Sequence, residues 1–546
     1  MSKNRSRNRI GSSPIVQSFI CALWGFAIAL IPVPAQNGSQ FKDWKPEFNS
    51  GAGTKPKADC AALVSQTGYE FSIETAALVP ASGGVPEFCH VTGQILPEVR
   101  FEVSLPTSWN NRFYMFGNGG FAGETLSSPF RAGFRAQALK AGFAVAQTNT
   151  GHDATIEPLG SFAVNRQKLL DYAWRAVHVT SETAKRIIRS YYGAAPGRSY
   201  FDGCSTGGRQ GLMSAQRFPD DFDGIVVGAP VLDFTGTTTI GAWNRRALDA
   251  SPIPPEKMKL VADRVYAKCD ALDGLNDGLI DDPRRCQLDP AKELPLCPND
   301  ADAKDCFTSG QIRALEAIYR GAESGGKRIF WGQPLGAEVF MPSPRVPGAP
   351  PENSTQTGWI AWIINPGRPS IAAMFSETFF RYMAFQKPDP NYDLKSLDFD
   401  RDPPKLEAIS RILDAKDPDL SRFKARGGKI VMYFGWADAA LNPLMGVDYY
   451  EKVTARMGPS TADFFRLYMV PGMAHCRGGV GTDDFDAFSA LVGWVEKGVA
   501  PGQILAMQSK GGNVVRSRPL CPYPQVAKYK GTGSPDDAQN FVCTKP

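Results

Sequence analysis

The pentapeptide Gly203-Cys204-Ser205-Thr206-Gly207 constrains the fold of this 546-residue chain more than any other stretch. Ser199-Tyr200-Phe201 before it reads as a short strand, and the residues after it read as a helix through about Phe218. A G-x-S-x-G run that joins a strand to a helix demands a sharp, close-packed turn, for which the flanking glycines leave room. The turn lifts the serine hydroxyl above the end of the sheet. In another context the same residues would be an ordinary turn with Ser205 as a helix cap. The strand before and the helix after favour Ser205 as a nucleophile.

The rest of the chain supplies a sheet for that turn. Arg112–Phe116 (RFYMF) is strand-like and runs into Gly117-Asn118-Gly119-Gly120. Phe143–Thr148 (FAVAQT) is a second strand, ending in Asn149-Thr150-Gly151-His152-Asp153. Over residues 167–192, apolar side chains recur at i, i+3 and i+4, among them Leu169, Ala173, Val177, Ala184 and Ile188. This predicts one long helix, with Gly193 just beyond it as the C-cap. Gly224–Gly228, Lys429–Phe434 and Phe465–Val470 read as further strands. Strands alternating with helices from about residue 98 predict an α/β fold whose mostly parallel sheet is covered on both faces. Residues 36–60, polar and rich in Pro and Gly, read as an extended lead-in. After about residue 232 the alternation gives way to Pro-bearing loops, four cysteines and aromatic-rich helical stretches such as Phe375–Phe385. The prediction is a catalytic domain in two parts, 36–232 and 426–546, with 233–425 inserted as a lid domain.

Composition excludes several classes of function. A hydrophobic fraction of 43% with 11% aromatic residues excludes a mainly disordered chain. The net charge of +5 is carried by the N-terminus, where Lys3, Arg5, Arg7 and Arg9 meet no acid. Without residues 1–35, 56 basic residues face 55 acidic ones, and a near-neutral body makes no electrostatic case for a nucleic-acid binder. The basic start, the apolar run 14–33 and Val33-Pro34-Ala35 before Gln36 read as a secretory signal peptide over 1–35, with an uncleaved membrane anchor as the alternative. After cleavage no membrane association is expected, and the chain would be secreted or periplasmic. Ten cysteines lie beyond Cys21, an even number that suits disulfides in an exported protein, although spacing alone leaves their connectivity open. No C-x-x-C occurs and the four histidines do not cluster, so a zinc site has little support.

A serine nucleophile needs a base. His475, in Pro471-Gly472-Met473-Ala474-His475-Cys476, is the one histidine after Ser205, as the chain order Ser, acid, His of α/β-hydrolases requires. His90, His152 and His178 precede the nucleophile, and His178, on the long helix, reads as structural. Asp438, after the Lys429–Phe434 strand, is the candidate acid that would orient the imidazole and stabilise its cation; Asp483 and Asp484 come in the wrong order. The oxyanion of an acyl transfer needs two N–H donors. Thr206 directly follows the nucleophile, and Gly120, with Gly119 second, lies in the loop after an early strand.

These residues resemble the tannase/feruloyl esterase family of secreted α/β-hydrolases, over about Cys60 to Cys543. The most specific mark is a cysteine beside each of the two reacting residues, Cys204 before Ser205 and Cys476 after His475. The resemblance implies an α/β-hydrolase fold with a large inserted lid and a Cys204–Cys476 disulfide that ties nucleophile to base. It further implies the pairs Cys60–Cys89, Cys269–Cys286, Cys297–Cys306 and Cys521–Cys543. A second mark is the acidic stretch Cys269–Asp281, where Asp270, Asp273 and Asp277 converge in a Gly-containing loop suited to a hard cation. The resemblance implies a structural Ca²⁺ in the lid, held by these carboxylates and by the carbonyls of Leu275 and Leu279. The spacing departs from an EF-hand, and no organic cofactor is implied.

The activity implied is a serine esterase acting on small aromatic acid esters, free or linked to a plant polymer: ferulate, gallate or the terephthalate half-ester. The lid aromatics Trp331, Trp359, Trp362, Phe375, Phe379 and Phe380 suit a flat acid, although such residues more often form lid core. Arg381 is a weaker candidate for meeting a carboxylate or phenolic group. The rivals are a peptidase or lipase on the same fold, and a non-catalytic binding protein that kept it. Neither preferred ester nor oligomeric state follows from the sequence.

Overall fold

The runs that are apolar on both faces form the centre of one nine-stranded sheet. In the computed structural model, which describes residues 53–338, 358–364 and 369–546, β1 (Phe71–Val79), β2 (Phe88–Ile95) and β3 (Val99–Pro106) form an antiparallel meander. The leader predicted over 1–35 lies outside the described residues. β4 (Arg112–Phe116), β5 (Ala144–Thr148), β6 (Arg198–Cys204), β7 (Gly224–Gly228), β8 (Lys429–Gly435) and β9 (Phe465–Val470) complete the sheet in the order β1-β2-β3-β5-β4-β6-β7-β8-β9. From β5 to β9 all neighbours are parallel, while β3 meets β5 antiparallel. This is the α/β-hydrolase fold.

Three of these strands, β1 to β3, lie outside the runs read as strands from the sequence. β1 is an edge strand: its burial alternates only as far as Ile73, a bulge interrupts the register before Thr75, and the rest faces solvent. Such a strand carries little of the period-2 signal. The central strands differ. β7 is buried throughout and β8 from Ile430 onward, as strands covered on both faces must be.

Helices cover the two faces. α1 (Pro129–Lys140) lies on one, with Phe134, Ala138 and Leu139 against Tyr114, Phe116 and Phe143. α2 (Ala176–Tyr192) and α3 (Thr206–Arg217) lie on the other, with Ile187, Ile188 and Leu212 fully buried in one cluster with Phe113 and Met115. Alternate side chains of β4 thus serve opposite cores, each fully buried aliphatic residue contributing about 2 kcal/mol by area. The helix expected over 167–192 is not uniform: a helical turn at Arg166–Leu170 and a five-residue π turn, Asp171–Arg175, precede α2. The π turn leaves carbonyls without helical partners, and the buried Arg209 of α3 takes those of Tyr172 (3.3 Å) and Ala173 (2.9 Å). Gly193 ends α2 at φ 72°, donating its N–H to Arg189, as expected.

Between β7 and β8 the chain makes its long excursion, through α4 (Phe234–Ala250), α5 (Met258–Cys269), α6 (Ser309–Arg320) and α7 (Ile371–Tyr382). Ile253, Val261, Val265, Phe307, Leu315, Ile318 and Trp359 build a core of its own there. Phe379 and Phe380 of α7 instead join the core shared with the sheet. Trp359, Phe379 and Phe380 are therefore core residues. After β8, α8 (Leu444–Met457) returns to the α2–α3 face, and α9 (Ala487–Lys497) packs beside α1. A hairpin of Ile504–Lys510 with Asn513–Leu520 follows. Five disulfides join the pairs implied by the resemblance. Among the described residues, no helix is long and apolar enough to cross a membrane.

Candidate active site

Ser205 stands in the turn between β6 and α3 with φ 63° and ψ −121°, a conformation that costs an L-residue about 1–3 kcal/mol. Its surroundings enforce it. The Ser205 N–H is bound by the Gly228 carbonyl at the end of β7 (3.0 Å), and its carbonyl accepts from Arg209 N (3.1 Å) as the first link of α3. A Cβ on Gly203 would fall 2.6 Å from the Gly207 backbone, so the entry to the turn has no room for a side chain. The strain predicted from the pentapeptide is present.

Asp438 is fully buried beyond the end of β8. Its Oδ1 accepts the amides of Ala440 and Leu441, both at 2.9 Å, which leaves Oδ2 to meet His475 Nδ1 at 2.8 Å. Three bonds from three directions fix the carboxylate, and the carboxylate fixes the ring. The His475 side chain is 11% exposed. The next residue, Cys476, has φ 62° and is bonded to Cys204, with the two Cα atoms 6.1 Å apart. His475 Nε2 lies 3.7 Å from Cys476 Sγ. The structure therefore joins Asp438 to His475 by a hydrogen bond, and the disulfide ties the residue after His475 to the residue before Ser205. Among the described residues, no hydrogen bond engages the Ser205 hydroxyl itself.

The two glycines of the loop after β4 separate clearly. The Gly119 N–H is taken by Glu124 Oε1 at 3.2 Å. Gly120, at φ 49°, has its carbonyl held by the hydroxyls of Tyr172 (3.1 Å) and Thr206. Among the described residues, no hydrogen bond uses the N–H of Gly120 or that of Thr206 at the start of α3. Phe375 of α7 lies over this loop: a Cβ on Gly120 would meet its ring at 3.4 Å, and Phe121 contacts it edge-on at 4.8 Å. Trp362 stands edge-on to the His475 ring at 5.4 Å. Arg381, on the same helix as Phe375, is engaged by Glu377 (2.7 Å) and the Tyr392 carbonyl (3.3 Å). The sequence held no signal for Glu124 or Tyr172, whose importance lies in which loop groups they occupy.

The other histidines have structural settings. His178 stacks on Phe218 at 3.8 Å and pairs with Asp221 through Nδ1 (3.0 Å). His152 is 2% exposed, stacked on Phe162 at 3.8 Å beside Gly123 of the loop just described. Burial, outweighing the backbone groups of Thr150 and Phe121, lowers its pKa from 6.5 to about 4.

The acidic loop lies elsewhere in the fold. Asp270 turns its two oxygens to the amides of Asp277 (3.2 Å) and Gly278 (3.0 Å); Asp273 accepts from Leu275 N (2.9 Å). Asp277 accepts from Leu279 N (3.2 Å) and from Arg518 (2.5 Å). Among the described residues, no three His, Cys, Asp or Glu side chains are gathered as metal ligands. The acids nevertheless crowd one another: burial, then Asp277 and Asp270, raises the Asp273 carboxyl, and burial, then Asp273 and Asp277, pushes Asp281 up to about 8. Leu279 packs on Gly472, three residues before His475, where a Cβ would fall 2.8 Å from its side chain.

Comparison with known proteins adds to this geometry. The profile of the family described as tannase and feruloyl esterase matches residues 83–544. The chain is 35% identical to an uncharacterized esterase of Xanthomonas campestris pv. campestris, over 89% of this chain and 91% of that one. It is 34% identical to the mono(2-hydroxyethyl) terephthalate hydrolase of Piscinibacter sakaiensis, over 87% of each. Feruloyl esterase B from Aspergillus oryzae overlays with a TM-score of 0.75 at 26% identity, covering 89% of this chain and all of that one.

His152 generates a stability prediction. Its pKa is lower in the fold than in the unfolded chain, so between 6.5 and about 4 the unfolded chain binds the extra proton. Its contribution is complete above pH 6.5 and is lost as pH falls toward 4. His152→Phe, which keeps a stacking ring, should flatten the fall in Tm over that range. A scanning-calorimetry pH series in which wild type and variant decline in parallel would refute the assignment.

Proposed function

The chain belongs to the tannase and feruloyl esterase family and is a carboxylic-ester hydrolase of that type, and on this premise we propose that Ser205, His475 and Asp438 form its catalytic triad. The observation that carries the proposal is the Cys204–Cys476 bridge beside an imidazole already held by Asp438. Ser205 Oγ attacks the ester carbonyl while His475 Nε2 accepts its proton, and Asp438 holds the Nδ1–H and stabilises the imidazolium. The N–H groups of Thr206 and Gly120 receive the developing oxyanion, each worth about 3 kcal/mol in the transition state. Collapse breaks the bond to the alcohol, which leaves with the proton from His475, and an acyl group remains on Ser205. Water, deprotonated by the same imidazole, then releases the acid.

For the acyl group we infer an aromatic acid. Phe375 over Gly120 and Trp362 against His475 place two rings beside the proposed reacting groups, as a flat acyl group requires. Arg381, the candidate for a carboxylate or phenolic group, is already paired with Glu377, and a phenolic acid is favoured over a terephthalate half-ester because only the half-ester brings a second carboxylate that needs a cation. We read 233–425 as the lid that brings these rings, and the five disulfides as those of an exported protein that begins with a cleaved leader. Fluorophosphonate labelling should disappear in Ser205→Ala, with activity falling at least about 10⁴-fold. kcat/KM should be higher for methyl ferulate or methyl gallate than for mono(2-hydroxyethyl) terephthalate, a triglyceride or a peptide. Labelling that survives the substitution would overturn the triad.

The bridge has its own consequence. A displacement of about 1 Å between reacting groups costs on the order of 100-fold in rate. Cys204→Ala with Cys476→Ala should lower kcat about 10- to 100-fold. Full activity in the double variant would show that the fold alone aligns Ser205 with His475.

We also propose that the acidic loop binds a structural Ca²⁺. Its donor set is chemically suited, being hard oxygens only, and burial together with the neighbouring Asp277 and Asp270 raises the Asp273 carboxyl. Asp270, Asp273 and Asp277 would hold the ion with the carbonyls of Leu275 and Leu279, and its charge would offset their repulsion. Leu279 would then be a firm support for the Gly472 turn that leads to His475. Chelation should lower Tm by about 2–5 °C, restored by Ca²⁺ and absent in Asp273→Asn. A chelator that leaves Tm unchanged would remove the ion from the structure.

A further inference from the structure

The loop Gly117–Gly123 has to hold one N–H in place although four of its seven residues are glycine, the residue with the most backbone freedom. Part of its constraint comes from a single carboxylate. Glu124 Oε1 accepts the Gly119 N–H at 3.2 Å, and Oε2 accepts Asn118 Nδ2 at 2.7 Å. Asn118 is fixed in turn by the nucleophile helix and by the end of β5: its N–H goes to Gln210 Oε1 (3.0 Å), its Oδ1 accepts from Gln210 Nε2 (3.2 Å), and its Nδ2 also reaches the Thr148 carbonyl (2.8 Å). Glu124 itself is held by Arg131 Nη1.

Arg131 is an unusual support for a surface loop. It is 1% exposed, lies over the Phe116 ring at 4.7 Å, and donates to Gln147 Oε1 (2.7 Å) and to the Gly117 carbonyl (3.4 Å). Burial lowers its pKa, and Glu124 is the largest influence opposing that. A buried guanidinium paired with a carboxylate that is one-quarter exposed orients that carboxylate toward the loop. On the other side of Gly120, the hydroxyls of Tyr172 and Thr206 hold its carbonyl. The Gly120 N–H therefore lies between two fixed points, the amide of the residue before it and its own carbonyl.

We propose that Glu124, oriented by Arg131, is a positioning residue that presents the Gly120 N–H to the oxyanion. The proposal rests on the triad reading above. Glu124 does not touch the substrate; it takes up the Gly119 amide and so fixes the peptide joining Asn118 to Gly119, while the Gly119 carbonyl accepts the Ala122 N–H (2.8 Å), so that the next peptide, which carries the Gly120 N–H, starts from one orientation. Without the carboxylate the Gly119 amide competes for the same space and the Gly120 N–H is aimed in only part of the population. The loss falls on the transition state and leaves ground-state binding alone.

The test is steady-state kinetics of Glu124→Ala and Glu124→Gln on the best ester of the panel. It is paired with inhibition by an arylboronic acid, which forms a tetrahedral adduct with the serine hydroxyl, and by the free aromatic acid. In Glu124→Ala, kcat and boronate affinity should fall together by about 10- to 100-fold, with KM and the affinity for the acid within about twofold. Glu124→Gln, which keeps one acceptor but offers donors to Asn118 and Arg131, should fall between wild type and Glu124→Ala. Arg426→Ala, which removes the Asp223 ion pair (3.4 Å) and the bond to the Phe222 carbonyl (2.6 Å), neither of them part of the Glu124–Arg131 network, should lower Tm with kcat and boronate affinity unchanged. Either folded variant with kcat within about twofold of wild type overturns the proposal, as does a uniform decline of kcat and acid affinity. If Glu124→Ala does not fold, Glu124→Gln gives the same comparison. Activity surviving in Ser205→Ala would sink the triad reading and this inference with it, whereas loss in Ser205→Ala with unchanged Glu124 variants sinks this inference alone.

Discussion

The parallel register of four strands is the constraint on which the site depends. Cys204 lies level with Gly228, Gly228 with Tyr433, and Tyr433 with Tyr468, so β6, β7, β8 and β9 end along one edge. Each strand leaves the sheet there into a turn, and those turns carry Ser205, Asp438 and His475. A slip of one residue in β8 or β9 would exchange the faces of that strand and move its turn by about 3.3 Å. The apolar residues that fill both faces of the sheet hold the chemistry in register as well as the fold.

Over this frame the loops are fixed by polar groups that leave few alternatives. Asp438 has one oxygen saturated by backbone amides and the other on the imidazole. The Gly120 carbonyl is held by two hydroxyls and the preceding amide by a carboxylate. The covalent link spans 272 residues of chain and joins loops on either side of the long excursion. Glycine-rich turns become rigid because most of the polar groups around them are occupied.

The parallel strands were legible because they are mostly apolar and bounded by glycine or a turn; Arg112–Phe116, Gly224–Gly228 and Phe465–Val470 have the bounds read from the sequence. The meander of β1 and β2 was not, since a half-exposed edge strand with a bulge carries little periodicity. The pentapeptide and the histidine after it could be read because their chemistry needs particular residue types in a particular chain order. Glu124 could not, because its role depends on a loop amide, and amides carry no residue identity. The preference for Gly120 over Gly119 was stated from the loop's place in the chain, whereas the Glu124 bond to the Gly119 N–H had no sequence signal.

The π turn at Asp171–Arg175 shows how one surplus residue can set the phase of a site. Removing a residue there would restore regular winding, and everything before it would rotate by about 100° relative to α2. The Tyr172 ring would leave Gly120, and the carbonyls that anchor Arg209 would be drawn back into the helix ladder. The wider coil is thus a gear between α3 and the glycine loop, and a deletion there would uncouple them.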